Sequence, residues 1–147
     1  MLNIEEKKTH LSDHTILPKW KRNANLEIRL ACVEDGLDNT GFRKISAYIK
    51  RIHQNTKIIY VPTSNYRNII GQLIERGGVT FGEDDIFNVA KYMSQGDIVA
   101  FSSMTQSSIT VYKIIEQVRK MNPNAFIIWG GIHAIIQPED AIKYADA

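Results

Sequence analysis

Phe126-Ile127-Ile128-Trp129-Gly130-Gly131-Ile132-His133 sets four apolar residues directly against a glycine pair and then a histidine. The β-branched and aromatic run predicts a buried, central strand of a sheet. The two glycines at its carboxyl end remove every Cβ, which leaves backbone bare where a flat ligand can press against it. In an open α/β sheet, ligands bind at that end of the strands. The question for the rest of the chain is whether other strands end beside this one.

Upstream of the opening strand, Ile109 to Met121 is patterned as a helix, with Val111, Ile114, Ile115 and Val118 inward and Lys113, Glu116, Arg119 and Lys120 outward. Asn122-Pro123-Asn124 stops it. Before it, Gly96-Asp97 introduces the short apolar run Ile98 to Phe101, which gives way to the hydroxyl-rich Ser102 to Ser108. Leu26 to Val33 and Ile58 to Val61 are further strand-like runs. The first ends in the polar, turn-forming Glu34 to Gly41, the second at Pro62, which has no amide hydrogen to donate.

Helical spacing recurs between these runs. It appears from Phe42 with Ile45, Tyr48, Ile49 and Ile52, over Asn65 to Arg76 with a stop at Gly77-Gly78, and over Asp84 to Met93 with Ile86, Val89, Ala90 and Met93. Strand, loop and helix repeat as βα units, which predicts an α/β domain over residues 26–147. After the glycine pair, Pro138 with Glu139 and Asp140 makes a helix start. The sequence ends at Ala147, where the alternation asks for another strand. Residues 1–25 carry Lys7, Lys8, Lys19, Lys21 and Arg22 without sustained periodicity and read as a basic arm.

At 147 residues, with 44% hydrophobic and 23% charged residues, the chain suits one globular domain with a real core. A formal net charge of +2, from 18 basic against 16 acidic residues, asks for neither nucleic acid nor an anionic membrane. No secretory signal or membrane-spanning apolar run is present, and the single cysteine, Cys32, cannot form an internal disulfide, which points to a cytoplasmic setting. Cys32 reads as a small buried hydrophobe. His10 and His14 can share a helical face, but no carboxylate or thiol cluster joins them, so no metal site is expected.

Three segments therefore converge on one sheet edge: Glu34 to Gly41, Ser102 to Ser108, and Gly130 to His133. Their hydroxyls, bare backbone and helix amino ends suit binding. No nucleophile, base and orienter combination is visible, which argues against a small enzyme acting on a nucleotide-like ligand. There is no phosphate loop with a following Lys-Ser/Thr, and Gly36 to Gly41 lacks the three glycines of the dinucleotide fingerprint. Glu83-Asp84-Asp85 reads as acids at a helix start.

The order of parts resembles the cobalamin-binding domain of vitamin B12-dependent radical S-adenosylmethionine enzymes. The likeness rests on Asp97-Ile-Val-Ala-Phe-Ser102-Ser103-Met104-Thr105, then a helix, then Trp129-Gly130-Gly131-Ile-His133-Ala with Pro138-Glu139, closing on Tyr144-Ala-Asp146. The resemblance implies a flavodoxin-like (Rossmann-like) three-layer sandwich, its parallel sheet in order 2-1-3-4 with the fifth strand of the family's 2-1-3-4-5 arrangement missing. It implies that the carboxyl edge holds the cofactor's nucleotide tail. Ser102, Ser103, Met104 and Thr105 would line the tail channel, and Gly130 and Gly131 would let the benzimidazole slide along the backbone. A Gly131→Val side chain would then overlap the ligand.

Cobalamin domains of the methionine-synthase type carry Asp-x-His-x-x-Gly after the first strand, the histidine binding cobalt from below. Aligning the last glycine with Gly41 puts Gly36 and Asp38 at the aspartate and histidine positions, so no imidazole is available there. The resemblance to the radical enzymes, which often lack that histidine, implies a displaced tail, with the loop residues Asp38, Asn39, Thr40 and Gly41 near the corrin. His133 is the one histidine close to the site, but after a strand its ring is expected to bond nearby backbone rather than cobalt. Trp129 is expected in the core.

The family's chemistry also needs a barrel with three clustered cysteines holding an iron–sulfur cluster, which Cys32 alone cannot supply. The chain is therefore expected to be a non-catalytic cobalamin-binding module, truncated before its fifth strand and partnered by a radical S-adenosylmethionine domain. The competing reading is a cofactor-free flavodoxin-like domain that self-associates as a homodimer through an exposed sheet edge.

Overall fold

The computed structural model describes residues 25–34, 39–63 and 81–147. The arm over residues 1–24, the loop positions Gly36 and Asp38, and the helix expected over residues 65–76 lie outside the described residues. Four parallel strands, β1 (Ile28–Val33), β2 (Thr56–Val61), β3 (Ile98–Ser103) and β4 (Phe126–Gly130), form one sheet in the order β2-β1-β3-β4. Among the described residues the main helices are α1 (Thr40–Ile52), α2 (Glu83–Met93) and α3 (Ser108–Met121), followed by the short α4 (Ile132–Ile136) and α5 (Pro138–Ala141). None is long and apolar enough to cross a membrane.

Alternation along the strands divides the core in two. Ala31, Val33, Val61, Val99, Phe101, Ile127 and Trp129 face one way and pack on Ile86, Ala90 and Met93 of α2 and on Val111, Ile114, Ile115 and Val118 of α3. Leu30 and Cys32 face the other way and pack on Phe42 of α1, with Ile28, Ile49, Ile58 and Ala100 beside them. Helices on both faces of a parallel sheet make the three-layer flavodoxin-like sandwich. The strand expected to be central, β4, lies at one edge of the four, with β2 at the other.

Helix α1 seats differently from its apolar pattern. Its inward row is Phe42 and Ser46, with Ile49 partly buried, whereas Ile45, Tyr48 and Ile52 are 62%, 56% and 65% exposed. The two rows are about 90° apart around a helix of 3.6 residues per turn. Phe42 meets Tyr60 of β2 edge to face with ring centroids 5.5 Å apart, and this contact fixes which row points at the sheet.

Two charged groups tie the body together. Arg29, 5% exposed on β1, donates to Glu27, to the Tyr92 carbonyl and to Gln95 Oε1, and its guanidinium lies 4.2 Å from the Tyr92 ring centroid. Its burial is thus fully compensated. Asp146 accepts from the Ile127 amide and from Arg119, each at 2.7 Å. That seats Ala147 along β4, where its amide donates to the Ile127 carbonyl at 3.3 Å and its carbonyl accepts from the Trp129 amide at 2.8 Å. This bond pair is the one a parallel neighbour makes.

Candidate functional site

Strand register builds the site. Tyr60, Cys32, Ser102 and Gly130 are paired in turn across β2, β1, β3 and β4, so they form one row at the carboxyl edge, on the α1 side of the sheet. Helix α1 covers the row at Cys32 and touches the exposed Tyr60 through Phe42, and Ser102 and Gly130 remain partly exposed beyond it. The strand runs through Ser102 and Ser103, which sequence patterning left to the following loop. Met104 and Thr105 lie at the tip, exposed, where a single 3-10 turn over Thr105–Ser107 leads into α3.

The glycine pair does two different jobs. Among the described residues, a Cβ built on Gly130 would meet only the Phe101 carbonyl, at 4.0 Å, so this backbone is not covered by them on the Ser102 side. Gly131 has φ +96° and ψ −173°, a region essentially reserved for glycine. Its Cβ would stand 2.7 Å from both the amide nitrogen and the carbonyl oxygen of Ser103, and 3.0 Å from Ser102 Oγ. The protein's own β3 is thus by itself a reason for glycine at position 131.

Asn39 caps α1, its Oδ1 accepting from the Phe42 amide at 2.7 Å, and Thr40 and Gly41 form the exposed first turn. Asp38 lies outside the described residues. Below this turn the Cys32 thiol donates to Glu34 Oε1 at 3.3 Å. Burial, and after it the hydrogen bond and charge of Glu34, push the thiol from about 9 up to about 12. Three pH units leave about a thousandth of the ordinary thiolate. The folded protein is therefore expected to resist iodoacetamide at mildly alkaline pH and to react promptly in denaturant; equal rates in both would contradict this. Because the folded value is raised, the thiol's contribution to stability is present below about pH 9 and is lost as pH rises towards about 12.

Two predicted site residues sit on the opposite face. Ser103 is 1% exposed and its Oγ accepts from the Trp129 indole at 2.9 Å, so its hydroxyl is used within the core. His133 is 2% exposed and stacks on Trp129 with ring centroids 4.8 Å apart. Its expected backbone bond is replaced by one to a side chain, since Nε2 is 3.1 Å from the Tyr112 hydroxyl, which also donates to Asp140. The hydrogen bonds from Tyr112 and then Lys143 hold the Asp140 carboxyl below its ordinary range, while burial and then the bond to Asp140 raise the Tyr112 phenol.

Tyr112 and Asp140 carried no signal as partners, because they lie 21 residues before and seven residues after His133. The alignment of Cys32 and Tyr60 with Ser102 likewise carried no sequence signal, since only the strand order and register create it. Two shallow grooves lie elsewhere. One of about 460 Å³ is lined by Ile115, Arg119 and Tyr144, and one of about 380 Å³ by Trp129, Pro138 and Ile142. Among the described residues no cluster of three or more His, Cys, Asp and Glu side chains is set to hold a metal ion.

The Cβ position of Gly130, uncovered by the described residues, leaves room beside Ser102 for a flat group. No curated protein and no solved structure matches the chain. The profile of one family, described as the B12 binding domain, matches residues 28–147, and that span contains the whole sheet and the Ser102–Gly130 row. By this match and by its architecture the chain belongs to the B12-binding domain family and is a cobalamin-binding module.

Proposed function

We propose that the chain is the cobalamin-positioning module of a B12-dependent radical S-adenosylmethionine enzyme, of methyltransferase or cyclase type, and is not catalytic by itself. The observation that carries the binding reading is the register pair Ser102 and Gly130, with an open Cβ position on Gly130. Ser102 and Gly130 flank the tail, Met104 and Thr105 meet it at the strand tips, and Asn39, Thr40 and Gly41, with Asp38, lie towards the corrin. Gly131 shapes the turn, and Ser103 and His133 act from behind the sheet. Cobalamin, when bound, supplies a cobalt centre that carries an alkyl group; the chain's residues bind and orient it.

The parent enzyme type rests on the Ser102-x-Met104-Thr105 and Gly130-Gly131-x-His133 pattern and on the loop before Gly41, which lacks the lower-ligand histidine. Of the described histidines, His133 is buried and His53 caps the far end of α1. Bound cobalamin reduced to the cobalt(II) state is therefore expected to give an electron paramagnetic resonance spectrum without nitrogen splitting. A nitrogen triplet would contradict the displaced-tail reading. The alternative, a cofactor-free domain pairing copies through β4, meets an edge already bonded at Ile127 and Trp129 by Asp146 and Ala147.

A further inference from the structure

The turn after β4 is tied to the body by side chains that the binding row does not use. Trp129 donates to Ser103 on one side of the glycine pair, and His133 meets Tyr112 on the other. Tyr112 lies on α3, stacks on Tyr144 with centroids 4.4 Å apart and meets Trp129 edge-on at 5.0 Å. The tautomer of His133 follows from counting donors. The Tyr112 hydroxyl has one hydrogen and gives it to Asp140, an acceptor, so its oxygen is left to accept from His133 Nε2–H. Among the described residues His133 Nδ1 is buried without a hydrogen-bond partner, which fits a bare lone pair beside the stacked Trp129 ring.

We propose that His133 is a positioning residue: held by Tyr112 and Asp140 as its Nε2–H tautomer, it locks the Gly130–Gly131 turn against α3 and so keeps the open face of Gly130 aligned with Ser102. This rests on the reading of that face as the tail channel. The lock acts over a short path. His133 follows Gly131 by two residues, and α4 begins with the Ile135 amide donating to the Gly131 carbonyl at 3.3 Å. A turn fixed before binding spares the ligand the cost of ordering it.

The tautomer makes the test selective. A glutamine amide reaches the place of Nε2, whereas an asparagine amide reaches only that of Nδ1. Hydroxocobalamin affinity, measured well below each variant's melting temperature, is expected to stay near that of the unaltered protein in His133→Gln. It is expected to fall about tenfold in His133→Asn and in Tyr112→Phe, the loss of one buried hydrogen bond. A purely structural role would lower the melting temperature of all three and leave affinity below that temperature unchanged, which overturns the proposal; so does equal loss in the glutamine and asparagine variants. Long-range ¹⁵N–¹H correlation on the unaltered, ligand-free protein is expected to show His133 protonated at Nε2, even if a variant fails to fold, and a proton at Nδ1 overturns the assignment. If the unaltered protein takes up no hydroxocobalamin while the tautomer is as stated, it is the tail-channel reading that fails.

Discussion

Gly130→Val is expected to leave the fold intact and to remove cobalamin binding. The nearest described atom to a Cβ at this position is the Phe101 carbonyl at 4.0 Å, an ordinary contact, and only Gly131 among the glycines described has a positive φ. Valine is at home at a strand end, and no described residue stands against it. Its methyl groups instead project into the open space beside Ser102, where the reading places the flat base. Affinity for hydroxocobalamin should drop by about a hundredfold or more, ~3 kcal/mol, with the apo melting temperature within a few degrees of the unaltered protein. Undiminished binding by a folded Gly130→Val protein would remove the tail from this row.

Gly131→Ala is expected to act in the opposite way, on folding itself. At φ +96° and ψ −173° an L side chain is strained wherever it points, and the added methyl would stand 2.7 Å from two backbone atoms of Ser103. Those atoms belong to the β3 ladder, so they cannot swing aside as a flexible side chain would. Strain and overlap together cost about 3 kcal/mol or more, a large share of the 5–15 kcal/mol that holds a typical domain together. Thermal melting without any cofactor should show a much lowered or absent transition. If the alanine variant melts like the unaltered protein and loses only cobalamin, Gly131 contacts the ligand after all and the division of labour between the glycines is wrong.

The contrast between neighbouring glycines marks how far a sequence can be read here. The four strands, the inward face of α3 and the meeting of Ser102 with the glycine pair were all legible, because apolar runs of strand length and helical spacing are local signals. The continuation of β3 through Ser102 and Ser103 was not, because serine has no strand preference and the ladder with β1 carries it. The face of α1 was misread for a similar reason: Phe42 meeting Tyr60 decides the rotation, and that contact depends on strand placement. The short α4 was missed because Ile135 and Ile136, 78% and 60% exposed, show no buried periodicity.

Side-chain roles behind the sheet were the least legible. That Ser102 faces the open row and Ser103 the core follows from alternation once the strand is known to continue, and not before. The partnership of His133 with Tyr112 joins two elements only after β4 and α3 are packed. The single lettering Gly-Gly thus conceals one residue whose Cβ position the described residues leave uncrowded and one that the protein's own backbone requires.

The central claim is that the partly exposed face of Ser102 and Gly130 receives cobalamin, and uptake by the unaltered protein tests it most directly. Purified protein is mixed with excess hydroxocobalamin, freed of unbound cofactor by gel filtration, and read by its visible absorption. The account predicts that the protein elutes coloured, with cobalamin approaching an equimolar amount. Protein that elutes colourless at every cofactor concentration, while its melting curve shows it folded, would contradict it.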